Sequence, residues 1–172
     1  MNPKKVFFQC STACDAGPLP DGYSFEVWRP GLRPPGTGAA HLLYGAFHLL
    51  RVFRNREYKA IIVRCGSEIA HRSCVFPGDF RFPHMAKTDI QIGDSWTTPD
   101  HRGKGLFTWA FKYILETNAT GGRIIWIVAD EENIATKRAA EKAGFVLVGR
   151  GSKKPRLGSL MLGYYDLEES LE

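Results

Sequence analysis

The spacing of apolar residues divides the chain into an irregular beginning and a regular remainder. The first 40 residues are rich in proline and glycine, and they are predicted to form loops around one short strand at residues 23–28. In residues 41–53 the apolar positions fit a helix with one apolar face. Residues 59–76 predict two strands joined at Cys65-Gly66-Ser67, which is a hairpin signal.

A strand and a helix are predicted between residues 87 and 118. Ile90, Ile92, Asp94 and Trp96 alternate with other residues, so they are predicted to share one face of a half-buried strand. A helix over residues 105–118 follows after a glycine-containing turn.

The last third of the chain adds three strands and one more helix. The continuous apolar run at 123–129 predicts a strand covered on both faces. Asn133 is a good N-cap and Gly144 is a good residue to follow a helix C-terminus, so a helix is predicted between them. Residues 145–151 and 159–167 predict two strands joined by a basic, polar loop.

The order of these elements predicts an α/β fold. The expected architecture is a mixed, mostly antiparallel central sheet of about six or seven strands, with helices on both faces. One strand–helix–strand unit in the middle is expected to be a right-handed parallel crossover. No repeat or linker divides the sequence, so residues 1–172 are predicted to form a single domain.

Composition narrows the compartment and the class of partner. No stretch approaches the roughly 20 apolar residues of a membrane span, so we expect a cytoplasmic protein without a membrane partner. The four cysteines show no metal-ligand spacing, which predicts free, mostly buried thiols and no metal: Cys10, Cys14, Cys65 and Cys74. A net charge of +5 favours an anionic partner, which could be nucleic acid, an acidic membrane surface or a phosphorylated small molecule.

The turn at residues 99–105 predicts an anion site. Amides in the first turn of a helix lack intrahelical acceptors, and the helix dipole adds partial positive charge. Gly103 and Gly105 remove side chains that would block a bulky anion, while Arg102 and Lys104 add positive charge. The turn is therefore a candidate cradle for a pyrophosphate. The alternative is a tight strand-to-helix turn that uses glycine only for its dihedral angles.

Two segments, residues 95–115 and 123–149, resemble the acyl-CoA-binding core of the GNAT superfamily of N-acetyltransferases. The resemblance covers residues 88–151 and rests on the turn "PDHRGKG" together with the later segment "NIATKRAAEKAGF". It implies that acetyl-CoA is the co-substrate, that residues 1–87 form the acceptor side, and that residues 152–172 supply a C-terminal strand.

The resemblance also implies particular roles for residues of the core. The backbone of four turn residues would hold the pyrophosphate: Arg102, Gly103, Lys104 and Gly105. Trp96 and Thr97 would pair with the amides of the pantetheine arm, and Asn133 would lie near that arm.

The sequence departs from the family pattern at two places. Phe107 stands where a small residue is expected, and it would either crowd the co-substrate or turn sideways against Phe111. Ala139 and Ala140 stand where many members carry a tyrosine that acts as general acid. A thiol with a pKa near 8.5 is already a tolerable leaving group, so activity without that acid is possible.

Acetyl transfer to an amine requires a base or a water relay, because an amine with a pKa near 10 is mostly protonated at neutral pH. Asp94 is the leading candidate, since it precedes the turn on a face that is otherwise apolar. The alternative for Asp94 is a turn or bulge residue bound to nearby backbone. Glu68 is the second candidate base, and His71 and His101 carry less weight because a lone histidine is usually a satisfied polar group.

The predicted function is therefore an N-acetyltransferase that moves an acetyl group from acetyl-CoA to a primary amine of a small molecule or peptide by direct attack. The alternative is a GNAT-fold module that binds or senses acyl-CoA with weak or no turnover. A dinucleotide-binding oxidoreductase, with Asp130 as its acidic residue, has too little chain to complete its fold.

The nature of further partners is less defined by the sequence. Nucleic acid is disfavoured, because aromatic and basic residues are not interleaved in a stripe. The sequence neither favours nor excludes a homodimer. The basic residues of the final hairpin are either solvated or contact a phosphate of the substrates: Arg150, Lys153, Lys154 and Arg156.

Overall fold

The computed structural model describes residues 4–30, 39–53, 55–78 and 81–170. Three helices are present in this part of the chain: α1 (Ala39–Leu49), α2 (Leu106–Asn118) and α3 (Ile134–Lys142). A short 3₁₀ turn, Pro99–His101, precedes α2. The strands are β1 (Lys5–Cys10), β2 (Ser24–Trp28), β3 (Lys59–Cys65), β4 (Glu68–Pro77), β5 (Ile90–Thr97), β6 (Ile125–Asp130), β7 (Val146–Arg156) and β8 (Ser159–Ser170).

All eight strands belong to one mixed sheet in the order β2-β3-β4-β5-β6-β1-β7-β8. Only β5 and β6 pair in parallel among the described strands, and α2 connects them. The predicted mixed sheet with one parallel crossover is therefore confirmed, although the sheet has eight strands and not the six or seven expected. A doubly wound dinucleotide fold needs several adjacent parallel strands, and this sheet does not provide them.

Strand β1 corrects the prediction that the N-terminal segment holds only one short strand. It lies between β6 and β7, and its side chains Phe7 and Phe8 are fully buried. Its partners come from residues 125–130 and 146–151, more than a hundred positions away. Periodicity within a window reports local burial and carries no information about such distant pairing.

The sheet separates two apolar layers, so helices cover both of its faces as predicted. On one face the strands pack against α2 and α3, with Ile92, Phe111 and Phe145 in the core. On the opposite face α1 contributes Tyr44 and Phe47 to a cluster around the buried Tyr58. No helix among the described residues is long and apolar enough to cross a membrane.

The basic segment near the C-terminus is a strand, which corrects the prediction of a basic loop. Strand β7 continues to Arg156 and turns only at Leu157 and Gly158, where both residues have positive φ. Arg150 Nε lies 3.0 Å from Glu131, and Lys154 forms an ion pair with Glu168. These two cations are therefore already neutralised by neighbouring carboxylates.

The cysteines are free, as predicted, but only one is fully buried. Cys74 lies in the sheet, where burial and the nearby Asp94 raise the pKa of its thiol to about 12. The other three are partly exposed, which corrects the expectation that most of the thiols are buried: Cys10, Cys14 and Cys65.

Strands β5 and β6 separate after a short parallel contact. Their pairing extends only from Ile90 to Ile92 on β5, and Ile92 faces Ile127 on β6. Two positions later Asp94 has φ of 46°, and the pairing of β5 with β4 shifts register there. The result is a bulge on one side of β5 and an opening between β5 and β6 on the other.

Candidate active site

The turn before α2 is shaped by two glycines with positive φ. Gly103 has φ of 74°, and Gly105, the N-cap of α2, has φ of 79°. A residue with a Cβ rarely adopts this left-handed conformation. Trp109 is the first residue of α2 whose amide bonds back along the helix, to the carbonyl of Gly105, so the preceding amides at the helix N-terminus have no acceptor in that ladder.

A basic cavity of about 590 Å³, the donor groove, lies between this turn and α3. A Cβ built on Gly103 or Gly105 meets no atom within 4 Å, so both positions border open space. None of the described residues lining the groove is acidic, whereas four are basic: Arg102, Lys104, Arg138 and Lys142. Free helix amides, small residues and four cations fit a pyrophosphate.

The opening between β5 and β6 forms a second cavity of about 300 Å³, the splay cavity. It shares Ser95, Asn133 and Thr136 with the donor groove, so the two spaces adjoin. Asn133 is the N-cap of α3, as predicted, and its side-chain oxygen accepts a hydrogen bond from the amide of Thr136 at 3.1 Å. This bond holds Asn133 where the two cavities meet.

A third cavity of about 180 Å³ continues from the splay cavity on the side of the sheet covered by α1. We call it the aromatic cavity. Its wall includes four aromatic residues and two charged ones: Tyr44, Phe76, Phe82, Tyr165, Arg81 and Asp94. Gly93, Asp94 and Tyr165 line both this cavity and the splay cavity.

Asp94 lies at the junction of the splay cavity and the aromatic cavity. Its bulge breaks the predicted alternation, so the expectation that Asp94 shares an apolar face with Ile90 and Ile92 is wrong. The carboxylate instead lies 3.2 Å from the guanidinium of Arg72 and is 27% exposed. The side chain is therefore held by an ion pair and remains reachable from the cavities.

Trp96 and Thr97 line the donor groove at the end of β5, but their side chains have different surroundings. Trp96 is 43% exposed, whereas the hydroxyl of Thr97 lies 2.7 Å from Nδ1 of His71. The carbonyl of Thr97 accepts a hydrogen bond from Nε of Arg102, which ties the strand end to the glycine turn. Beyond Ile92 the pairing with β6 has ended, so this stretch of β5 has an open backbone edge toward β6.

Comparisons with solved structures identify the fold of this chain, whereas comparisons of its sequence find no match. No protein-family model matches the sequence, and no curated protein matches it. The chain is similar in structure to a GCN5-related N-acetyltransferase from Sphaerobacter thermophilus, with a TM-score of 0.58, 16% identity, and coverage of 87% of this chain and 50% of that one. This chain has the GNAT fold.

Two further structures support the GNAT fold. A GNAT-family protein from Novosphingobium aromaticivorans matches with a TM-score of 0.54 and 14% identity, covering 87% of this chain and 62% of that one. A tandem GNAT protein from the clavulanic acid biosynthesis pathway matches with a TM-score of 0.56 and 15% identity, covering 85% and 50%. The chain thus spans 50% to 62% of the length of these three structures.

Within the GNAT fold, the second candidate base does not reach the junction of the cavities. Glu68 begins β4 beside the hairpin turn, and its carboxylate lies 3.5 Å from Nε2 of His101. The other ring nitrogen of His101 contacts the hydroxyl of Tyr23 at 2.8 Å. This buried histidine therefore links the N-terminal segment to the turn. Because both of its ring nitrogens have partners, a structural role is favoured, although His101 also lines the donor groove.

His71 is fully buried beneath the start of α2 in a chain of hydroxyl contacts. Its Nδ1 lies 2.7 Å from the Thr97 hydroxyl and its Nε2 lies 2.9 Å from the Ser73 hydroxyl. Ser73 in turn contacts the hydroxyl of Ser95 at 2.8 Å. Burial, with a smaller contribution from Arg72, lowers the pKa of His71 to about 3, so the imidazole is neutral at physiological pH.

The two departures from the GNAT motif have different structural outcomes. The ring of Phe107 packs edge-on against Phe111, with centroids 4.7 Å apart, and contacts the ring of His71 at 5.4 Å. Of the two placements expected for Phe107, the ring therefore adopts the one turned sideways against Phe111, although it still borders the donor groove. Ala139 lines the same groove, so the position expected for a tyrosine faces the donor groove without a hydroxyl.

The range expected to form the acceptor side, residues 1–87, contains Tyr44 and Arg81, but sequence reasoning singled out neither of them and did not include Tyr165. Tyr44 comes from α1, Arg81 from the loop after β4, and Tyr165 from the last strand. The three lie far apart along the chain and follow no common spacing, so no signal in the sequence joins them.

Proposed function

We propose that this protein is an N-acetyltransferase that moves an acetyl group from acetyl-CoA to a primary amine of a small molecule. The observation that carries the proposal is that three cavities adjoin one another through shared wall residues. A basic groove at a helix N-terminus leads through the opening between β5 and β6 to a small aromatic cavity, with Asp94 at the second junction. This arrangement would bring a thioester and an amine together at Asp94.

The donor side of the proposed site would hold acetyl-CoA mainly through backbone groups. The turn from Arg102 to Gly105 and the first amides of α2 would bind the pyrophosphate. The open edge of β5 at Trp96 and Thr97 would pair with the amides of the pantetheine arm, with Asn133 beside it. Arg138 and Lys142 would add charge from α3.

The ammonium form of the amine must first lose one proton to solvent, and the reaction then requires one further proton transfer and one bond exchange. The amine nitrogen attacks the carbonyl carbon of the thioester while Asp94 accepts a proton from the nitrogen. The new carbon–nitrogen bond forms, the carbon–sulfur bond breaks, and the electron pair leaves with the thiolate. Holding amine and thioester in line supplies much of the rate, because two bound reactants no longer need to find each other.

Calorimetric titration with acetyl-CoA tests the proposal, with NADH as the control ligand. Micromolar binding of acetyl-CoA alone, followed by thiol release in a screen of primary amines, is the expected result. Binding without thiol release in any amine would favour the sensing module, for which the missing hydroxyl at Ala139 argues. If acetyl-CoA does not bind, the acetyltransferase function is refuted.

A single methyl group in the donor groove is expected to weaken the binding of acetyl-CoA. We expect Gly105→Ala to raise the dissociation constant at least tenfold, which corresponds to about 1.4 kcal/mol. The added Cβ meets no protein atom within 4 Å and would occupy space at the helix N-terminus. Isothermal titration of the wild type and the variant measures the difference.

Gly66→Ala is the matched control for this substitution. Gly66 also has positive φ, at 59°, and open space around its Cβ position, but it lies in the turn between β3 and β4. Both variants carry the same backbone strain of about 1–2 kcal/mol. Equal loss of affinity in the two variants would trace the effect to general destabilisation and would contradict the cradle.

A further inference from the structure

The walls of the aromatic cavity are rings in fixed mutual contact. Phe82 and Tyr165 are stacked, with centroids 5.1 Å apart and an interplanar angle of 8°. Tyr44 and Phe76 meet edge to face at 4.7 Å. Rings arranged in this way offer both faces and edges to an occupant, which favours a flat apolar group.

The volume of the aromatic cavity limits the size of the flat group that can enter it. The cavity of about 180 Å³ corresponds to about six water molecules at roughly 30 Å³ each. Pockets for drug-sized ligands usually hold about 300–1,000 Å³. The part of an acceptor that enters this cavity is therefore small, about the size of a single ring with a short substituent.

Positively charged side chains outnumber negatively charged ones around the aromatic cavity. Asp94 is already paired with Arg72 at 3.2 Å, and Arg81 lines the same wall. Lys153 Nζ and Lys5 Nζ lie 5.6 Å and 5.9 Å from the centroid of the Tyr165 ring, and Lys5 is itself paired with Asp130. These residues place four cations against two carboxylates. This local excess of cations favours an acceptor that carries a negative group as well as an amine.

Tyr44 lines the same cavity as the two charged residues, Asp94 and Arg81. Burial raises the pKa of its hydroxyl, Asp94 raises it further, and Arg81 lowers it. Both charges therefore act on the Tyr44 hydroxyl, which stays protonated as a hydrogen-bond donor. An amine near Asp94 and an anionic group near Arg81 would then be a short distance apart on one molecule.

We propose that the acceptor is a small aromatic amine that carries a carboxylate, of the kind found in aromatic α-amino acids. Its ring enters between the aromatic walls, its carboxylate pairs with Arg81, and its amine lies at Asp94 facing the splay cavity. This inference rests on the proposed function, because it concerns the acceptor of the same site.

The test compares four amines in the acetyl-CoA-dependent assay and in direct binding by calorimetry. L-phenylalanine has both features, phenethylamine lacks the carboxylate, L-leucine lacks the ring, and putrescine lacks both. We expect kcat/KM and affinity to be highest for L-phenylalanine, at least tenfold above each of the other three.

Arg81→Gln identifies the group that recognises the carboxylate. We expect this variant to reduce the ratio of kcat/KM for L-phenylalanine to that for phenethylamine at least tenfold. Lys87→Gln is the matched control, because Lys87 is an exposed cation of the same segment that lines none of the three cavities. Its ratio should equal that of the wild type.

The outcomes separate this inference from the proposed function. Preferred acetylation of putrescine or L-leucine would overturn the inference and leave the acetyltransferase in place. Arg81-dependent binding of L-phenylalanine without binding of acetyl-CoA would support the inference and refute the acetyltransferase. If L-phenylalanine neither binds nor reacts better than phenethylamine, the inference is wrong whatever happens with acetyl-CoA.

Discussion

Asp94→Asn is expected to lower kcat for amine acetylation by about 100- to 1,000-fold, within the range that general base catalysis usually contributes. Acetyl-CoA should bind with unchanged affinity, because the side chain lies at the far end of the splay cavity from the glycine turn. Asparagine has the size of aspartate and tolerates the positive φ of 46° at this position. The bulge should therefore survive while the proton acceptor is lost.

Steady-state kinetics with the best amine of the screen measure this effect. The loss should appear in kcat, while the KM for acetyl-CoA stays close to that of the wild type. Asp100→Asn is the control, since Asp100 is an exposed carboxylate near the same turn that lines none of the cavities. A loss of less than tenfold at Asp94 would mean that another group or a water takes the proton.

The elements that could be predicted from the sequence are those with local signals. The hairpin of β3 and β4 is marked by Gly66, and the crossover from β5 to β6 is marked by the glycine turn and an apolar run. The helix from Ile134 follows a side-chain cap at Asn133. In each case the residues that determine the element lie within a few positions of it.

Strand β1 and the bulge at Asp94 could not be predicted in the same way. The residues Lys5–Cys10 form a strand because β6 and β7 pair with them on both sides. At Asp94 the alternation of Ile90 and Ile92 would continue in a regular strand, and only the register shift against β4 breaks it. The residue type of Asp94 allowed a bulge to be considered, but it did not indicate which face of the sheet the side chain occupies.

The two halves of the candidate site differ in how well the sequence predicts them, and the reason is the same. The donor groove is built around one continuous turn, so the motif of Gly103 and Gly105 predicts its position. The aromatic cavity takes Tyr44, Arg81 and Tyr165 from three separate segments. Their proximity depends on the packing of α1 against the sheet and on the place of β8 at the edge of the sheet, which no spacing in the sequence encodes.

The second large effect is expected in the stability of the fold at acidic pH, and it originates at His71. Its pKa is lowered from an ordinary value of 6.5 to about 3 by burial. Between these values the unfolded chain binds a proton that the folded protein excludes, so stability is complete above about pH 6.5 and is lost as the pH falls toward 3. The total loss is at most about 5 kcal/mol, at roughly 1.4 kcal/mol for each pH unit.

Urea unfolding between pH 7 and pH 4 checks this expectation by comparing the wild type with His71→Gln. The stability of the wild type should fall more steeply with decreasing pH, by about 1 kcal/mol per pH unit below pH 6. Ser73→Ala is the control, because it removes a hydrogen-bond partner of His71 at 2.9 Å and keeps the imidazole. This variant should be less stable at every pH, with the steep dependence retained.

An NMR titration of the His71 imidazole in the wild type gives a second measurement that does not depend on either variant folding. The ring should stay neutral at pH 4, where an exposed histidine is almost fully protonated. Protonation near pH 6.5 would show that water reaches the chain of hydroxyl contacts under α2. It would also reopen a catalytic role for His71, because a histidine that titrates near neutral pH and is linked to Ser95 through Ser73 could take up a proton from the splay cavity.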